Sequence, residues 1–268
     1  MKEIDVEELK EIQLDILANV DLFCKENKIH YWLDSGTLLG AIRHSGYIPW
    51  DDDIDIGMLR KDFDNFISTF NKESSRYKVI CNELQGDCYY PYAKVLDRKT
   101  TLYEPDEGGI KLSVNIDLFV YDVTPDEKRA KKQYDWRDWF KDLNVIQYRL
   151  FRSKEWYKRI PQILLYYVLK LYPKGYFASK IVKNSKKYDG TDAKYVGNFT
   201  AESRMLCEQS VFDSFIMKKF EGKEYPVPVG YDAWLEAFYG DYMKLPPEEK
   251  RVSHHAFKAY IDESLQKQ

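Results

Sequence analysis

Apolar and polar residues alternate along the chain in patterns that predict most of its secondary structure. From Val6 to Asn27 apolar residues recur at helical spacing, and Asp5 stands where an N-cap is expected. Further helices are predicted near residues 38–43, 61–70, 231–239 and 254–265. Period-two or short apolar runs predict strands near residues 31–33, 53–58, 77–81, 92–96, 101–103, 114–119, 195–200 and 217–227.

The order of these elements indicates the fold class and the domain organisation. Strands dominate the first half and helices the second, which is typical of an α+β (mixed α/β) protein. We expect one domain over residues 1–268, with a core of about 1–124 and 190–268. The intervening residues, about 125–189, are predicted to form a largely helical insertion that is broken near Pro161 and Pro173.

The segment from Ile48 to Met58 places four carboxylates within five positions between apolar residues. Alternation of Ile54, Ile56 and Met58 predicts the buried face of a strand, with Asp51, Asp53 and Asp55 on the opposite face. Carboxylates about 6–7 Å apart on one strand face repel each other by a few kcal/mol. A hard divalent cation relieves that repulsion, so the pattern predicts an oxygen-ligand site for Mg²⁺ or Mn²⁺.

Two further segments extend this candidate site. Asp117 lies between apolar neighbours in another predicted strand, where it supplies a third carboxylate or is a strand-end acid bonded to a neighbouring amide. The residues Ser35, Gly36 and Thr37 stand where a strand gives way to a helix, and exposed amides at such a point favour an anion. Three acids beside a phosphate-binding turn indicate phosphoryl transfer, in which positioning and electrostatics provide most of the catalysis.

Composition and charge exclude several classes of protein. The chain has 268 residues with a net charge of −3, so there is no overall signal for nucleic-acid binding. The acidic N-terminus does not resemble a secretion signal, and the longest apolar run, Ile163 to Leu169, is too short to span a membrane. The four cysteines lack zinc-ligand spacing, so we expect free thiols in a cytoplasmic protein.

One segment departs from this charge balance. From Arg149 to Lys187 eleven Lys and Arg residues accompany a single acid, Glu155, together with many aromatic residues. Two interpretations remain open for residues 149–187. The segment forms core-packed helices with solvated lysines, or it presents a surface to anionic lipid at the inner face of the membrane and to a lipid-linked substrate.

The acidic segment and the turn before it resemble the LicD family of bacterial phosphocholine transferases, which have the nucleotidyltransferase fold and to which fukutin-related proteins are similar. The resemblance covers Tyr31 to His44 and Ile48 to Ile56. Weaker similarity continues in order along the chain, at residues 92–95, 116–119, 239–243 and 245–247, and at Arg251 and His254. No motif is recognised between about 125 and 190.

The resemblance implies a nucleotidyltransferase-like core, in which helices flank a central mixed β-sheet. It also implies transfer of phosphocholine from CDP-choline to a sugar hydroxyl of a teichoic-acid or other glycan precursor, lipid-linked, with release of CMP. Asp53 and Asp55 match the paired metal acids of the family, and Asp117 matches the third. Asp51 is either a further ligand or an outer base, and Ser35, Gly36 and Thr37 match the phosphate-binding turn.

Cationic residues are expected to meet the phosphates of the donor. Arg43 can form hydrogen bonds to two phosphate oxygens at once, or it forms a salt bridge with a nearby aspartate. Lys94 can act as a point charge, or it is an ordinary exposed strand residue. His44 is a candidate proton relay or a hydrogen-bonded loop histidine, and His254 is a further candidate from the tail that resembles the family.

Other functions are consistent with parts of the pattern. The donor can carry another alcohol phosphate, such as ribitol phosphate, and an Asp-x-Asp pair is also found in metal-dependent glycosyltransferases. A calcium-binding loop is disfavoured because Ile56 occupies the position that such a loop reserves for glycine. A catalytically idle adaptor is disfavoured by the intact acids.

Overall fold

The computed structural model describes residues 2–74, 76–103, 111–150, 155–251 and 258–261. The strands are β1 (Lys2–Ile4), β2 (Trp32–Leu33), β3 (Asp55–Leu59), β4 (Tyr77–Ile80), β5 (Ala93–Asp97), β6 (Thr100–Tyr103), β7 (Lys111–Leu112), β8 (Asn115–Thr124), β9 (Tyr195–Gly197), β10 (Leu206–Glu208), β11 (Phe215–Phe220), β12 (Lys223–Pro228) and β13 (Lys258–Ile261). The helices are α1 (Val6–Asn27), α2 (Ser35–Arg43), α3 (Arg60–Glu73), α4 (Asn82–Gln85), α5 (Glu127–Tyr148), α6 (Trp156–Leu169), α7 (Tyr176–Ser185) and α8 (Tyr231–Tyr239).

The main sheet is mixed and is organised around β8. This strand pairs in parallel with β3 on one side, while β5 and then β9 pair with it antiparallel on the other. β2 and β10 extend the sheet at its two ends, and β4 pairs with β5. A second sheet has the order β1-β13-β6-β7, and β11 and β12 form a hairpin. The predicted α+β class is therefore confirmed.

The hydrophobic core lies between this sheet and the helices α1 and α3. Ile54, Ile56 and Met58 are completely buried, as the alternation predicts. The predicted cap of α1 is also present, because the Asp5 side chain accepts a hydrogen bond from the Glu8 amide. Burial of these apolar side chains is the main favourable contribution to folding.

A buried arginine connects the sheet to the helices that follow β8. Arg60, on α3, makes two hydrogen bonds to Asp122 of β8, at 2.6 and 2.8 Å, and one to Glu83 at 2.8 Å. The Lys186 ammonium also pairs with Glu83 just beyond α7. Charge-assisted bonds of this kind hold groups that would be costly to bury alone.

Three expectations about the elements were wrong. β3 begins at Asp55, so Asp53 lies in the loop before the strand and not on its face. The second helix of the 126–187 region includes Pro161, so the break expected there is wrong, whereas α6 ends at Leu169, before the expected break near Pro173. The predicted last helix is contradicted by β13, which pairs with both β1 and β6.

The four cysteines are free thiols, as expected. None of the helices within the described residues has the length and apolar character needed to cross a bilayer.

Candidate active site

Two carboxylates stand side by side on the neighbouring strands β3 and β8. Asp55 begins β3 and is the register partner of Asp117 on the parallel strand. The Asp117 amide donates to the carbonyl oxygen of Ile54 at 2.9 Å, which supports the pairing at this end. Partners on adjacent strands lie about 5 Å apart and point to the same face. The structure thus brings together two of the predicted site residues.

The remaining predicted acids approach from the loop before β3. A Cβ atom placed on Gly36 would lie only 2.7 Å from Asp51 Oδ2, so the Asp51 carboxylate rests against the glycine backbone. Burial, followed by the charges of Asp53 and Asp117, raises the pKa of Asp55 well above its usual range. Closely spaced carboxylates in a half-buried place are therefore a property of this site.

The turn from β2 into α2 begins the helix with an unusual backbone conformation. Ser35 adopts a positive φ of 47°, and the first helical bond runs from the Leu38 amide to the Asp34 carbonyl oxygen at 2.9 Å. The amides of residues 35–37 lie ahead of that bond, at the positive end of the helix dipole. The Thr37 hydroxyl accepts a hydrogen bond from the Asp55 amide at 2.9 Å, which ties the turn to β3.

A further acid, Asp34, lies directly behind this turn. It occupies the N-cap position of α2, but its side chain does not cap the helix. Its Oδ2 atom instead accepts a hydrogen bond from the Tyr121 hydroxyl at 2.6 Å, and its amide donates to the Asp55 carbonyl oxygen at 3.0 Å. Complete burial raises the pKa of Asp34 to about 6.

Lys94 provides positive charge to the acids from the strand on the other side of β8. It is the register partner of Asp117, and its Nζ atom lies 2.7 Å from Asp117 Oδ1 and 3.3 Å from Asn115 Oδ1. The ammonium also lies over the rings of Tyr90 and Tyr92, at 4.9 and 5.5 Å. Because Lys94 is buried, its interpretation as an ordinary exposed strand residue is wrong.

Arg43 ends α2 and faces the C-terminal part of the chain. Its guanidinium donates to the Tyr242 carbonyl oxygen at 2.7 Å and to His44 Nε2 at 2.9 Å. Its bonds within the described residues therefore do not include a salt bridge to the aspartates of the loop, which was the alternative. Burial and the adjacent Arg43 lower the pKa of His44, in agreement with a neutral ring that accepts this bond.

A cleft of about 730 Å³ opens between α2, the loop that follows it and the residues after α8. Its walls combine basic, aromatic and apolar side chains: Leu39, Arg43, Ile48, Trp50, Tyr239, Asp241, Tyr242, Lys244, Leu245, Pro246, Pro247 and Arg251. The Arg251 guanidinium lies over the Trp50 ring at 5.7 Å, a distance that allows a cation–π interaction. These groups suit a ligand with phosphates and a flat or apolar part.

Tyr239 links this cleft to the acids. Its side chain lines the cleft and is 39% exposed, and its partial burial raises its pKa. The negative charges of Asp55, Asp34 and Asp51 add to that increase. The effect of a charge on the pKa of another group decreases steeply with distance. The cleft therefore adjoins the carboxylate cluster.

Two parts of the predicted site are not shown by the structure. Across the described ranges, no three His, Cys, Asp or Glu side chains are arranged so that they could hold a metal ion. His254 lies outside the described residues.

The sequence analysis gave no role in the site to four residues that the structure places here, Asp34, Trp50, Tyr239 and Arg251. Asp34 precedes a predicted helix, so its position indicates a helix cap. That position does not indicate that its side chain points into the protein. Tyr239 and Arg251 belong to the tail that resembles the family, but their residue types alone do not indicate a site. Trp50 adjoins the acidic run, which was the available signal.

Comparison with known proteins agrees with this geometry. The family model described as "LicD/FKTN/FKRP, nucleotidyltransferase domain" matches residues 28–147. The lipopolysaccharide cholinephosphotransferase LicD of Haemophilus influenzae is 32% identical over 97% of this chain and 100% of its own length. Human ribitol 5-phosphate transferase FKRP is 51% identical over 37 residues, which are 14% of this chain and 8% of that protein.

The match to the Haemophilus protein extends through both the acidic strands and the C-terminal cleft, since it spans almost the whole chain. We conclude that the chain belongs to the LicD family.

Proposed function

We propose that this protein is a metal-dependent phosphotransferase that moves phosphocholine from CDP-choline to a sugar hydroxyl of a lipid-linked glycan, with release of CMP. The observation that carries the proposal is the register of Asp55 with Asp117, two acids held side by side near the turn that begins α2. The relationship to LicD cholinephosphotransferase supports a transferase of phosphorylated alcohols. A teichoic-acid precursor is one acceptor of the proposed class.

The carboxylates have the chemistry that Mg²⁺ or Mn²⁺ requires. Asp53, Asp55 and Asp117 would hold the ion through their carboxylate oxygens, which are the donors that it prefers. When bound there, the ion supplies positive charge that offsets the charge of the transferring phosphoryl group. Lys94 already contributes positive charge beside Asp117.

The donor's phosphates are proposed to lie between the start of α2 and the cleft. Amides at the start of the helix and the guanidinium of Arg43 favour the negative charge of a diphosphate. Lys244 and Arg251 add cations along the cleft, and Trp50 offers a flat surface beside them. The nucleotide part of the donor would then occupy the cleft, with the bond to be broken beside the acids.

Transfer requires one bond to form as another breaks. The acceptor hydroxyl oxygen bonds to the phosphorus of phosphocholine, and the bond from that phosphorus to the CMP oxygen is cleaved. The hydroxyl proton passes to a carboxylate, for which Asp117 and Asp51 are the candidates, and then to solvent. Holding the reacting groups in line is the principal contribution of the protein.

Transfer of ribitol phosphate from its CDP donor is the second candidate function. The observation that favours it is the short, 51% identical match to ribitol 5-phosphate transferase FKRP. The chemistry at phosphorus is the same for both donors, so the two functions differ only in how the alcohol is recognised.

A donor screen tests the proposal directly. The purified protein is incubated with CDP-choline, CDP-ribitol or UDP-sugars, together with lipid-linked glycans, and release of CMP or UDP is measured. We expect CMP from CDP-choline, loss of activity on chelation, and recovery with Mg²⁺ or Mn²⁺. Release from CDP-ribitol alone would support the second function, and UDP release would indicate a glycosyltransferase instead.

A matched pair of variants locates the chemistry. Asp55→Asn should lower turnover at least about a hundredfold, because it removes a charged oxygen from the reacting centre without changing its size. Asp192→Asn alters an exposed acid away from the site and should leave turnover unchanged. Near-normal turnover by a folded Asp55→Asn protein would contradict the mechanism.

A further inference from the structure

Helix α6 presents a row of large apolar side chains to solvent. Ile160, Leu164, Tyr167, Val168 and Leu171 are between 51% and 84% exposed. Their spacing of three or four residues places them on one face of the helix and of the turn that continues it. An apolar face of this size turned away from the protein marks an interaction surface.

The opposite face of α6 attaches it to the rest of the protein. Leu169 is buried, and Gln147 of α5 donates hydrogen bonds to the carbonyl oxygens of Leu169 and Tyr172, at 3.1 and 3.0 Å. The exposed row is therefore the outer side of a docked helix. An ordinary surface helix has the reverse arrangement, with its apolar face inward.

The sequence of α6 and α7 is rich in positive charge. No acid occurs from residue 156 to residue 188, whereas that stretch contains eight basic residues: Lys158, Arg159, Lys170, Lys174, Lys180, Lys183, Lys186 and Lys187. Lys170 and Lys174 are exposed at the end of the apolar row. Tyr167 and Tyr172 add part-polar rings, which suit the boundary between water and lipid.

We propose that this surface docks on an anionic lipid bilayer, with the axis of α6 parallel to the membrane plane. Apolar side chains would enter the acyl boundary, and the lysines would meet the phosphate groups of the lipids. A second copy of the chain is the less suitable occupant. In a two-fold dimer the same basic patch would face itself, so like charges would repel. The inference is independent of which group the enzyme transfers.

Vesicle sedimentation tests this surface without any measurement of turnover. Vesicles are prepared from phosphatidylcholine alone, or from equal parts of phosphatidylcholine and phosphatidylglycerol. We expect the unmodified protein to sediment with the anionic vesicles and to bind the neutral ones several-fold more weakly. The variant Leu164→Glu with Leu171→Glu should bind the anionic vesicles at least about tenfold more weakly, because it places charge in the acyl boundary.

Two control variants separate the contributions of apolar contact and charge. Leu22→Glu changes a side chain on α1 that is 55% exposed and should leave vesicle binding unchanged. Lys170→Glu with Lys174→Glu should weaken binding several-fold at low salt and have less effect at high salt. Circular dichroism would verify that each variant retains its helices.

Two outcomes would overturn the inference. One is equal vesicle binding by the unmodified protein and the folded Leu164→Glu, Leu171→Glu variant. The other is a dimer in analytical ultracentrifugation that this variant converts to monomer, without vesicle binding by either protein. The second result would identify the surface as an interface between copies of the chain.

Discussion

The strands around β8 and the helix α6 use apolar residues in opposite ways. On β3, Ile56 is completely buried and sets the direction of Asp55, whereas on α6 Leu164 is turned outward. In the first region, packing of apolar residues fixes the positions of the carboxylates. In the second region, the apolar residues are exposed and available to a partner. The role of a hydrophobic residue, in the core or on an interaction surface, can therefore be inferred only when its exposure is known.

The largest effect is expected at the buried arginine that bonds to β8. Arg60→Ala would leave the buried carboxylate of Asp122 without its charged partner, at a cost of about 4 kcal/mol in the free energy of unfolding. Denaturant unfolding would measure the loss. Lys61→Ala, at the exposed neighbouring position, should change the same quantity by less than about 0.5 kcal/mol. Equal effects would show that the network does not support the fold.

A pair of truncations compares the two regions directly. Ile56→Ala creates a cavity in the core and should lower the free energy of unfolding by about 3–4 kcal/mol. Leu164→Ala removes an exposed side chain and should lower it by less than about 0.5 kcal/mol. Chemical denaturation of both variants provides the measurement. A large loss in Leu164→Ala would mean that α6 packs against the protein more closely than its exposure indicates.

The acids of the first region should make stability depend on pH. The pKa of Asp34 is raised from its ordinary 3.8 to about 6, so its charged form is disfavoured in the folded chain. The protonated Asp34 therefore stabilises the folded chain. Its contribution to the free energy of unfolding is complete below pH 3.8 and is lost as the pH rises through 6, by about 3 kcal/mol at most.

Asp34→Asn should remove this dependence, since the amide does not ionise. The difference in unfolding free energy between the two proteins should change between pH 4 and pH 7, with the variant gaining relative to the original chain. Comparing the two proteins cancels the other carboxylates. A constant difference across this range would show that Asp34 is ionised normally in the fold.

The smallest effect is expected in the cleft. Arg251→Ala should raise KM for the nucleotide donor about tenfold with little change in kcat, because it removes a cation that we propose contacts the donor in both the ground state and the transition state. Initial rates over a range of donor concentration would measure it. Lys223→Ala, at the exposed start of β12, is the matched control. An unchanged KM for Arg251→Ala would place the donor elsewhere.

The sequence predicts those parts of the fold in which local pattern and final environment agree. α1 and α8 have the predicted bounds because their apolar spacing matches the face that they bury. The last helix was wrong because the environment of β13 comes from β1 and β6, which are distant in sequence. Tertiary contacts of this kind override local propensity.

The candidate site shows the same division. Asp55 and Asp117 could be identified as candidate site residues because each interrupts an apolar strand. Their carboxylates suggest binding of a cation. The inward direction of Asp34 depends on Tyr121, which is 87 residues away, and the cleft depends on residues after α8 that approach α2. Neither arrangement has a local signature, so neither could be predicted from a single sequence.

Strand β8 separates two kinds of structural demand by the parity of its positions. Its odd-numbered residues include Asp117, which faces Asp55, and Tyr121, which bonds to Asp34, while even-numbered Val120 and Asp122 are buried on the other side. Because alternate residues point to opposite faces, a substitution at an odd position would act on the acids, and one at an even position would act on the packing of the core.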